Sequence, residues 1–118
     1  MKPITSLLLF LIVLVAAPSF AGEDGVVRVE SKYVCMVNDT LFPKEQIAVD
    51  VDGKRYFGCC EMCKERLAKN AGARMAVDPL SGHEVDKARA VIGAKPDGKV
   101  LYFESQESFD GYARKKGS

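Results

Sequence analysis

The sequence predicts an α+β fold in which two small ββα units follow one another, each made of a β-hairpin and a helix. Hydrophobic residues alternate with polar ones around two turn sequences, and the block around the first turn recurs farther along the chain. Three of the four cysteines lie in the segment YFGCCEMCKERL, residues 56–67, where the first helix is expected to begin. The fold and the chemistry therefore meet at one hairpin-to-helix junction.

The first 21 residues are predicted to be a signal peptide. Lys2 precedes an apolar run over residues 7–17, and small residues lead up to a cleavage position after Ala21. The apolar run is shorter than the roughly 20 residues that a membrane helix needs, so we expect no stable membrane insertion after cleavage. The mature chain of 97 residues is expected to be periplasmic or secreted, with residues 22–32 as a lead-in.

Charge and cysteine placement restrict the function. The mature chain carries 16 basic and 16 acidic residues, which argues against nucleic acid as a partner. Four cysteines in a small exported protein would ordinarily suggest a disulfide framework. Here the adjacent Cys59 and Cys60 are geometrically poor partners for each other, which weakens that interpretation.

The first unit, residues 33–76, is predicted from its hydrophobic pattern. Ile47, Val49 and Val51 alternate with polar or small residues, Asp52-Gly53 is a hairpin turn, and residues 54–58 form the return strand. A helix should begin near Cys59 or Cys60 and end near Asn70. One face of that helix would carry Cys60, Cys63, Leu67 and Ala71.

The second unit, residues 77–118, is predicted from a repeat. Residues 53–67 align without a gap on residues 98–112, at an offset of 45. A second hairpin is expected across residues 88–103, and Ser105 should cap a second helix. The first unit's cysteines align with residues that carry no thiol: Cys59 with Glu104, Cys63 with Ser108 and, at an offset of 46, Cys35 with Ser81.

The two units are expected to share a hydrophobic core. The second unit would contribute Val91, Ile92, Val100, Leu101, Tyr102, Phe103, Phe109 and Tyr112. These would pack against Val49, Val51, Tyr56, Phe57 and Leu67 of the first unit.

The cysteines form a candidate site for one soft metal ion. Cys35 lies in a predicted loop over residues 33–42, and either Cys59 or Cys60 could join Cys63, because residues three or four apart share a helix face. A helix N-terminus favours thiolates, and a site of three thiolates suits Cu(I) first, with Zn(II) or a toxic soft metal behind it. Met36 and Met62 flank the cysteines but are expected to serve in packing, and the single histidine, His83, is expected to lie outside the site.

These residues resemble the TRASH and YHS group of small metal-associated domains. In that group one cysteine precedes a hairpin and a Cys-x-x-x-Cys opens the following helix, as Cys35, Cys59 and Cys63 do here. Residues 78–86, DPLSGHEVD, resemble the YHS form, but Ser81, Glu104 and Ser108 replace its cysteines. The resemblance implies a treble-clef-like fold and a role in heavy-metal sensing, trafficking or resistance.

The resemblance also implies which helix cysteine is the ligand. It favours Cys59 with Cys63, and it leaves Cys60 as a fourth or exchange ligand. It makes residues 33–76 a TRASH-like metal-binding unit and residues 77–118 a degenerate YHS-like unit packed on the first.

We therefore expect an exported metal-binding protein that acts as a buffer, carrier or resistance accessory, with a metal-transport or resistance protein as its partner. It is not expected to be an enzyme, because no catalytic set of side chains is visible. One alternative is a thiol-disulfide oxidoreductase that uses Cys60-x-x-Cys63, and another is a disulfide-stabilised interaction module.

Overall fold

The computed structural model describes residues 25–116, so the predicted signal peptide lies outside the described residues. The described part is a small α+β fold, as predicted, with two helices and several small antiparallel sheets. The strands are β1 Val27–Val29, β2 Val34–Cys35, β3 Thr40–Leu41, β4 Ile47–Val51, β5 Lys54–Gly58, β6 Met75–Val77, β7 Glu84–Asp86, β8 Val91–Ala94 and β9 Val100–Phe103. The helices are α1 Glu61–Lys69, which follows β5, and α2 Gln106–Lys116, which follows β9.

The hairpin of β4 and β5 has the predicted turn. Val51 lies opposite Lys54, so the turn contains only Asp52 and Gly53. Both have positive φ, 51° and 75°, as a two-residue type I′ turn requires. Glycine meets this requirement without strain, and aspartate tolerates it better than most residues.

The hairpin of β8 and β9 belongs to a three-stranded sheet. Strand β1 pairs antiparallel with β8, so part of the predicted lead-in is a strand. Gly93 permits this packing, because a Cβ there would lie 2.4 Å from Val26 Cγ1 and 2.8 Å from Phe109 Cε2. The lead-in is thereby attached to the second unit.

Helix α1 is slightly shorter than predicted. It begins after Cys60, which is its N-cap, and it ends at Lys69. The C-cap is Asn70, whose side-chain oxygen accepts a hydrogen bond from Gly72 N at 2.9 Å. Cys63 and Leu67 are buried on its inner face, as predicted, whereas Cys60 is exposed and Ala71 lies beyond the helix in a short 3-10 turn. The predicted four-residue stripe is therefore wrong at both of its ends.

The cap of α2 is confirmed, but the ungapped repeat is not. Ser105 Oγ accepts a hydrogen bond from Ser108 N at 3.1 Å, and it occupies the position that Cys60 has in the first unit, 45 residues earlier. The buried tyrosines Tyr56 and Tyr102, by contrast, are 46 residues apart. A shift of one residue turns a strand side chain to the opposite face, so the ungapped alignment is wrong within the strand. The first unit has one residue more between its inward-facing tyrosine and its helix cap.

One hydrophobic cluster joins the two units. Its buried members come from both, and they are Val34, Met36, Val49, Tyr56, Leu67, Ile92, Ala94, Val100 and Tyr102. Phe103 and Phe109 are also buried, whereas Val51, Phe57, Val91, Leu101 and Tyr112 are only partly buried. Among residues 25–116, neither helix has the length and apolar character that crossing a membrane would require.

Candidate metal centre

Three cysteine sulfurs converge at the start of α1. Cys35 lies at the end of β2, Cys59 between β5 and the cap of α1, and Cys63 in the first turn of α1. Their Sγ atoms all lie within 4.8 Å of one another, which is close enough for one metal ion to contact all three. Cys35 and Cys63 are buried and Cys59 is exposed, so the cluster is open on one side.

Cys35 is positioned by the short antiparallel pair of β2 and β3. We call residues 35–40 the knuckle, since Cys35 lies opposite Thr40 and the chain reverses between them. Met36 N donates to Phe57 O at 2.9 Å, which fixes the knuckle against the end of β5. Asn38 Nδ2 also lies 3.6 Å from Cys59 Sγ, so the knuckle supplies a donor to a second cysteine of the cluster.

Gly58 lets the knuckle, the strand and the helix meet. A Cβ at this position would lie 2.9 Å from Cys63 Cβ and 3.1 Å from Lys64 N, closer than side chains pack. Cys59 directly follows β5 and precedes the N-cap Cys60, so it lies in the turn from β5 into α1. Cys59 Sγ and Cys63 Sγ lie 3.6 Å apart even though Cys59 precedes the helix, so their proximity depends on this turn and not on helix periodicity alone.

The surroundings favour negative charge on one sulfur of the cluster. Burial disfavours a thiolate at Cys35, but backbone N–H groups of Asn38, Val37 and Cys59 donate to its sulfur and lower the pKa of Cys35 below the ordinary value. Hydrogen bonding to Cys35, and then burial, raise the pKa of Cys59. Burial, followed by hydrogen bonds with Cys60 and Cys59, raises the pKa of Cys63 to about 12. Of the three sulfurs, Cys35 is therefore the one whose surroundings favour the thiolate, and binding of one metal ion to all three as thiolates would release protons.

Cys60 stands at the edge of the cluster. Its Sγ lies 3.5 Å from Cys63 Sγ, but it is exposed and does not belong to the set of three sulfurs that lie within 4.8 Å of one another. The backbone N–H of Cys63, at the free end of α1, favours negative charge on the Cys60 sulfur and lowers the pKa of Cys60. The structure thus brings Cys59, and not Cys60, together with Cys35 and Cys63.

The other sulfur and nitrogen donors considered from the sequence lie in different surroundings. Met36 is fully buried in the hydrophobic cluster, as expected of a packing residue, whereas Met62 on α1 is 79% exposed, so the expectation that it serves in packing is wrong. His83 lies in the second unit, where its Nδ1 is 2.8 Å from Glu104 Oε2. His83 does not belong to the group of side chains that could share a metal ion with Cys35.

The second unit fills the corresponding position with a carboxylate that the sequence analysis missed. Asp78 follows β6 and is fully buried, and its Oδ2 accepts from Ser108 Oγ at 2.5 Å and from Glu104 N at 2.9 Å. Glu104 and Ser108 are the residues aligned with Cys59 and Cys63, so Asp78 contacts the helix start as Cys35 does. Ser81, which the alignment matched to Cys35, is exposed. Two features of the sequence could have indicated this role of Asp78. It precedes a turn, and the helix that it contacts begins without cysteines.

None of the four cysteines forms a disulfide in the structure. No protein-family model, curated protein or solved structure shows significant similarity to this chain. The geometry of the cluster is therefore the main support for a function, and the resemblance to TRASH and YHS domains stays a prediction from short motifs.

Proposed function

We propose that this chain is an exported, non-enzymatic protein of the TRASH and YHS type that binds one soft metal ion and acts as a buffer, carrier or resistance accessory. The observation that carries the proposal is the convergence of Cys35, Cys59 and Cys63 within 4.8 Å. In this proposal the knuckle and α1 form a treble-clef-like site, and the second unit is a related copy without ligands. In this proposal residues 1–21 are an export signal, and the mature protein works in the periplasm or outside the cell.

The number of sulfurs favours Cu(I). Thiolates select Cu(I) and Zn(II) over harder ions, but structural Zn(II) is almost always four-coordinate. Only three sulfurs form the close set among the described residues, so Zn(II) would need a fourth ligand such as water or Cys60. Cu(I) is satisfied by fewer thiolates, and the buried sulfur of Cys35 would help to keep the ion from water.

Cys60 is suited to exchange. It is exposed, its sulfur touches Cys63, and the neighbouring Cys59 is exposed too. An ion held by the three sulfurs could pass to Cys60 and from there to a thiolate of an incoming metal-transport or resistance protein. This sequence of ligand replacements would let a buffer also act as a carrier.

Metal stoichiometry tests the proposal. Protein purified without oxygen should hold one Cu(I) per chain by mass spectrometry, and X-ray absorption should count sulfur neighbours only. Cys35→Ser and Cys59→Ser should each lose the ion at a chelator concentration that wild type withstands. Cys60→Ser is the matched control, because Cys60 is adjacent to Cys59 and is also exposed.

The same variants expose a wrong assignment. If Cys60→Ser loses the ion and Cys59→Ser keeps it, the third ligand is Cys60 and not Cys59. A wild-type protein that binds neither Cu(I) nor Zn(II) would refute metal binding altogether. Cys60→Ser should also release Cu(I) more slowly to a thiol acceptor, and an unchanged rate would remove its exchange role.

One observation favours a second candidate, a thiol-disulfide oxidoreductase. Cys60 is an exposed N-cap with a lowered pKa, and Cys63, 3.5 Å away, is buried with a raised pKa. In such a pair the Cys60 thiolate would attack a substrate disulfide, forming a mixed disulfide and releasing one substrate thiolate. Cys63, on losing its proton, would then attack the Cys60 sulfur, release the second substrate thiol and leave a Cys60–Cys63 disulfide.

Loss of Cys35 separates the two candidates. Metal-free Cys35→Ser protein should reduce a small-molecule disulfide as well as wild type does if Cys60 and Cys63 form the active pair, and Cys60→Ser should be inactive. If neither wild type nor Cys35→Ser exceeds the rate of free glutathione, the redox function is refuted. Metal binding that depends on Cys35 would at the same time support the first candidate.

A further inference from the structure

The knuckle that carries Cys35 is held by side chains of the second unit. Asp39 lies in the knuckle with a positive φ of 50°, and its Oδ1 accepts hydrogen bonds from Tyr102 OH at 2.8 Å and from Lys87 Nζ at 3.1 Å. Lys87 Nζ also donates to Met36 O at 2.7 Å. The ammonium group of Lys87 therefore binds both Met36, directly after Cys35, and Asp39, where the knuckle reverses.

Because Lys87 is buried, its ammonium group requires polar partners. The Lys87 side chain is 7% exposed, and an ammonium so far removed from water is stable only with charged or strongly polar partners. Tyr102 is also buried, in the cluster shared by both units. If the knuckle moved away, Lys87 would lose both of its observed acceptors, so its burial opposes that movement.

The backbone of the second hairpin adds to the contact. Val100 N donates to Asp39 O at 2.9 Å, and Leu41 N donates to Gly98 O at 2.8 Å. Thr40 lies opposite Lys99 in an antiparallel bridge. The knuckle thus lies beside the turn that precedes β9 and beside the first residue of β9.

From these contacts we propose that Lys87 and Tyr102 are positioning residues of the metal site, and that the cysteine-free second unit holds the knuckle so that Cys35 faces Cys59 and Cys63. The proposal rests on the metal binding proposed above. Because second-shell groups orient ligands, their loss is expected to weaken metal binding without changing the number of ions bound.

The molecule contains its own control. Asp86, in the second unit, accepts from Lys54 Nζ at 2.7 Å and from Tyr56 OH at 2.7 Å. Here too a lysine and a tyrosine donate to one aspartate, but the donors belong to the first unit and the acceptor to the second. The segment around Asp86 carries no cysteine. Tyr102→Phe and Tyr56→Phe each remove one tyrosine-to-carboxylate hydrogen bond from a buried ring without changing its shape.

The test compares these two variants in two measurements. Competition with a chromogenic Cu(I) chelator should show Tyr102→Phe binding about ten-fold more weakly than wild type, the lower end of the range for second-shell substitutions. Tyr56→Phe should stay within about two-fold of wild type, because its hydrogen bond is not part of the second shell. In metal-free protein, iodoacetamide should label the buried Cys35 faster in Tyr102→Phe than in Tyr56→Phe, with Cys63 labelled equally in both.

The outcomes distinguish failure of this proposal from failure of metal binding. If wild type binds no Cu(I) or Zn(II), the proposed function fails, and Cys35 labelling still decides whether the second unit holds the knuckle. If wild type binds metal and the two phenylalanine variants have equal affinities and equal Cys35 labelling, the positioning role is overturned. Urea denaturation of both variants shows whether a difference in affinity merely follows a difference in stability.

Discussion

Replacing Asp78 with asparagine is expected to destabilise the metal-free protein strongly. The carboxylate is fully buried and accepts four hydrogen bonds, two on each oxygen. Oδ1 accepts from Leu80 N at 2.7 Å and Ser81 N at 3.0 Å, and Oδ2 accepts from Glu104 N and Ser108 Oγ. An asparagine amide of the same shape has only one acceptor oxygen, so two of the four donors would face an NH₂ group.

The magnitude follows from the pKa of Asp78. Burial works against the charge, but the hydrogen bonds from Ser108, Glu104, Ser81 and Leu80 outweigh it and lower the pKa from 3.8 to about 2. At 1.36 kcal/mol per unit, this shift corresponds to about 2 kcal/mol of stability at neutral pH. Unsatisfied donors add a cost of similar order, so Asp78→Asn should lower the free energy of unfolding by about 2–4 kcal/mol.

The pH dependence has a definite sign. Because the folded-state pKa of Asp78 lies below the unfolded value, its contribution is complete above about pH 4 and is lost as the pH falls towards 2. Urea denaturation with chelator and reductant present should therefore show a large gap between wild type and Asp78→Asn at pH 7 and a smaller gap near pH 2.5.

The exposed Asp110 provides the control. It accepts one hydrogen bond, from Gln106 Nε2 at 3.0 Å, and Asp110→Asn should change stability by less than about 0.5 kcal/mol. A loss below 1 kcal/mol for Asp78→Asn, or a loss that is the same at both pH values, would refute the assignment of Asp78 as a charged anchor of the second unit.

Two further predictions concern the cysteine site. Gly58→Ala should destabilise the protein by about 1–3 kcal/mol and weaken Cu(I) binding, because the new Cβ would meet Cys63 Cβ at 2.9 Å. Gly72→Ala, whose Cβ would meet only the Asn70 side chain, is its control in denaturation and chelator competition, and equal losses would contradict the prediction. In metal-free protein near pH 7, timed iodoacetamide labelling should modify Cys60 first and Cys63 last, because Cys60 is exposed with a lowered pKa while burial raises the pKa of Cys63 to about 12. Early labelling of Cys63 would mean that the helix start is open in solution.

Local patterns predicted the local structure well. The alternation before Asp52-Gly53 predicted the first hairpin and its turn, and Ser105 was recognised as a helix cap. These features depend on neighbours within a few residues, where turn and capping preferences are strong. The predicted ends of α1 differ from the observed ends by one residue or more, because Cys60 and Asn70 cap the helix and do not belong to it.

Features that depend on contacts between distant parts of the chain were harder to predict from the sequence. The close approach of Cys35 to Cys59 and Cys63 was expected from their residue types, but its geometry depends on Gly58 and on the knuckle. The roles of Asp78 and Lys87 were not foreseen. A buried charge carries no periodic signal in sequence, and its partners become apparent only when segments 26–51 residues away are brought beside it.

The reciprocal bonds at Asp39 and Asp86 have a consequence for unfolding. Each unit supplies the lysine and the tyrosine that satisfy a carboxylate of the other, so opening either unit alone would leave buried polar groups of its neighbour without partners. Opening one unit therefore costs more than the loss of that unit's own contacts. The described chain should therefore lose its structure in a single cooperative transition, with the slowest-exchanging amide hydrogens of both hairpins released together.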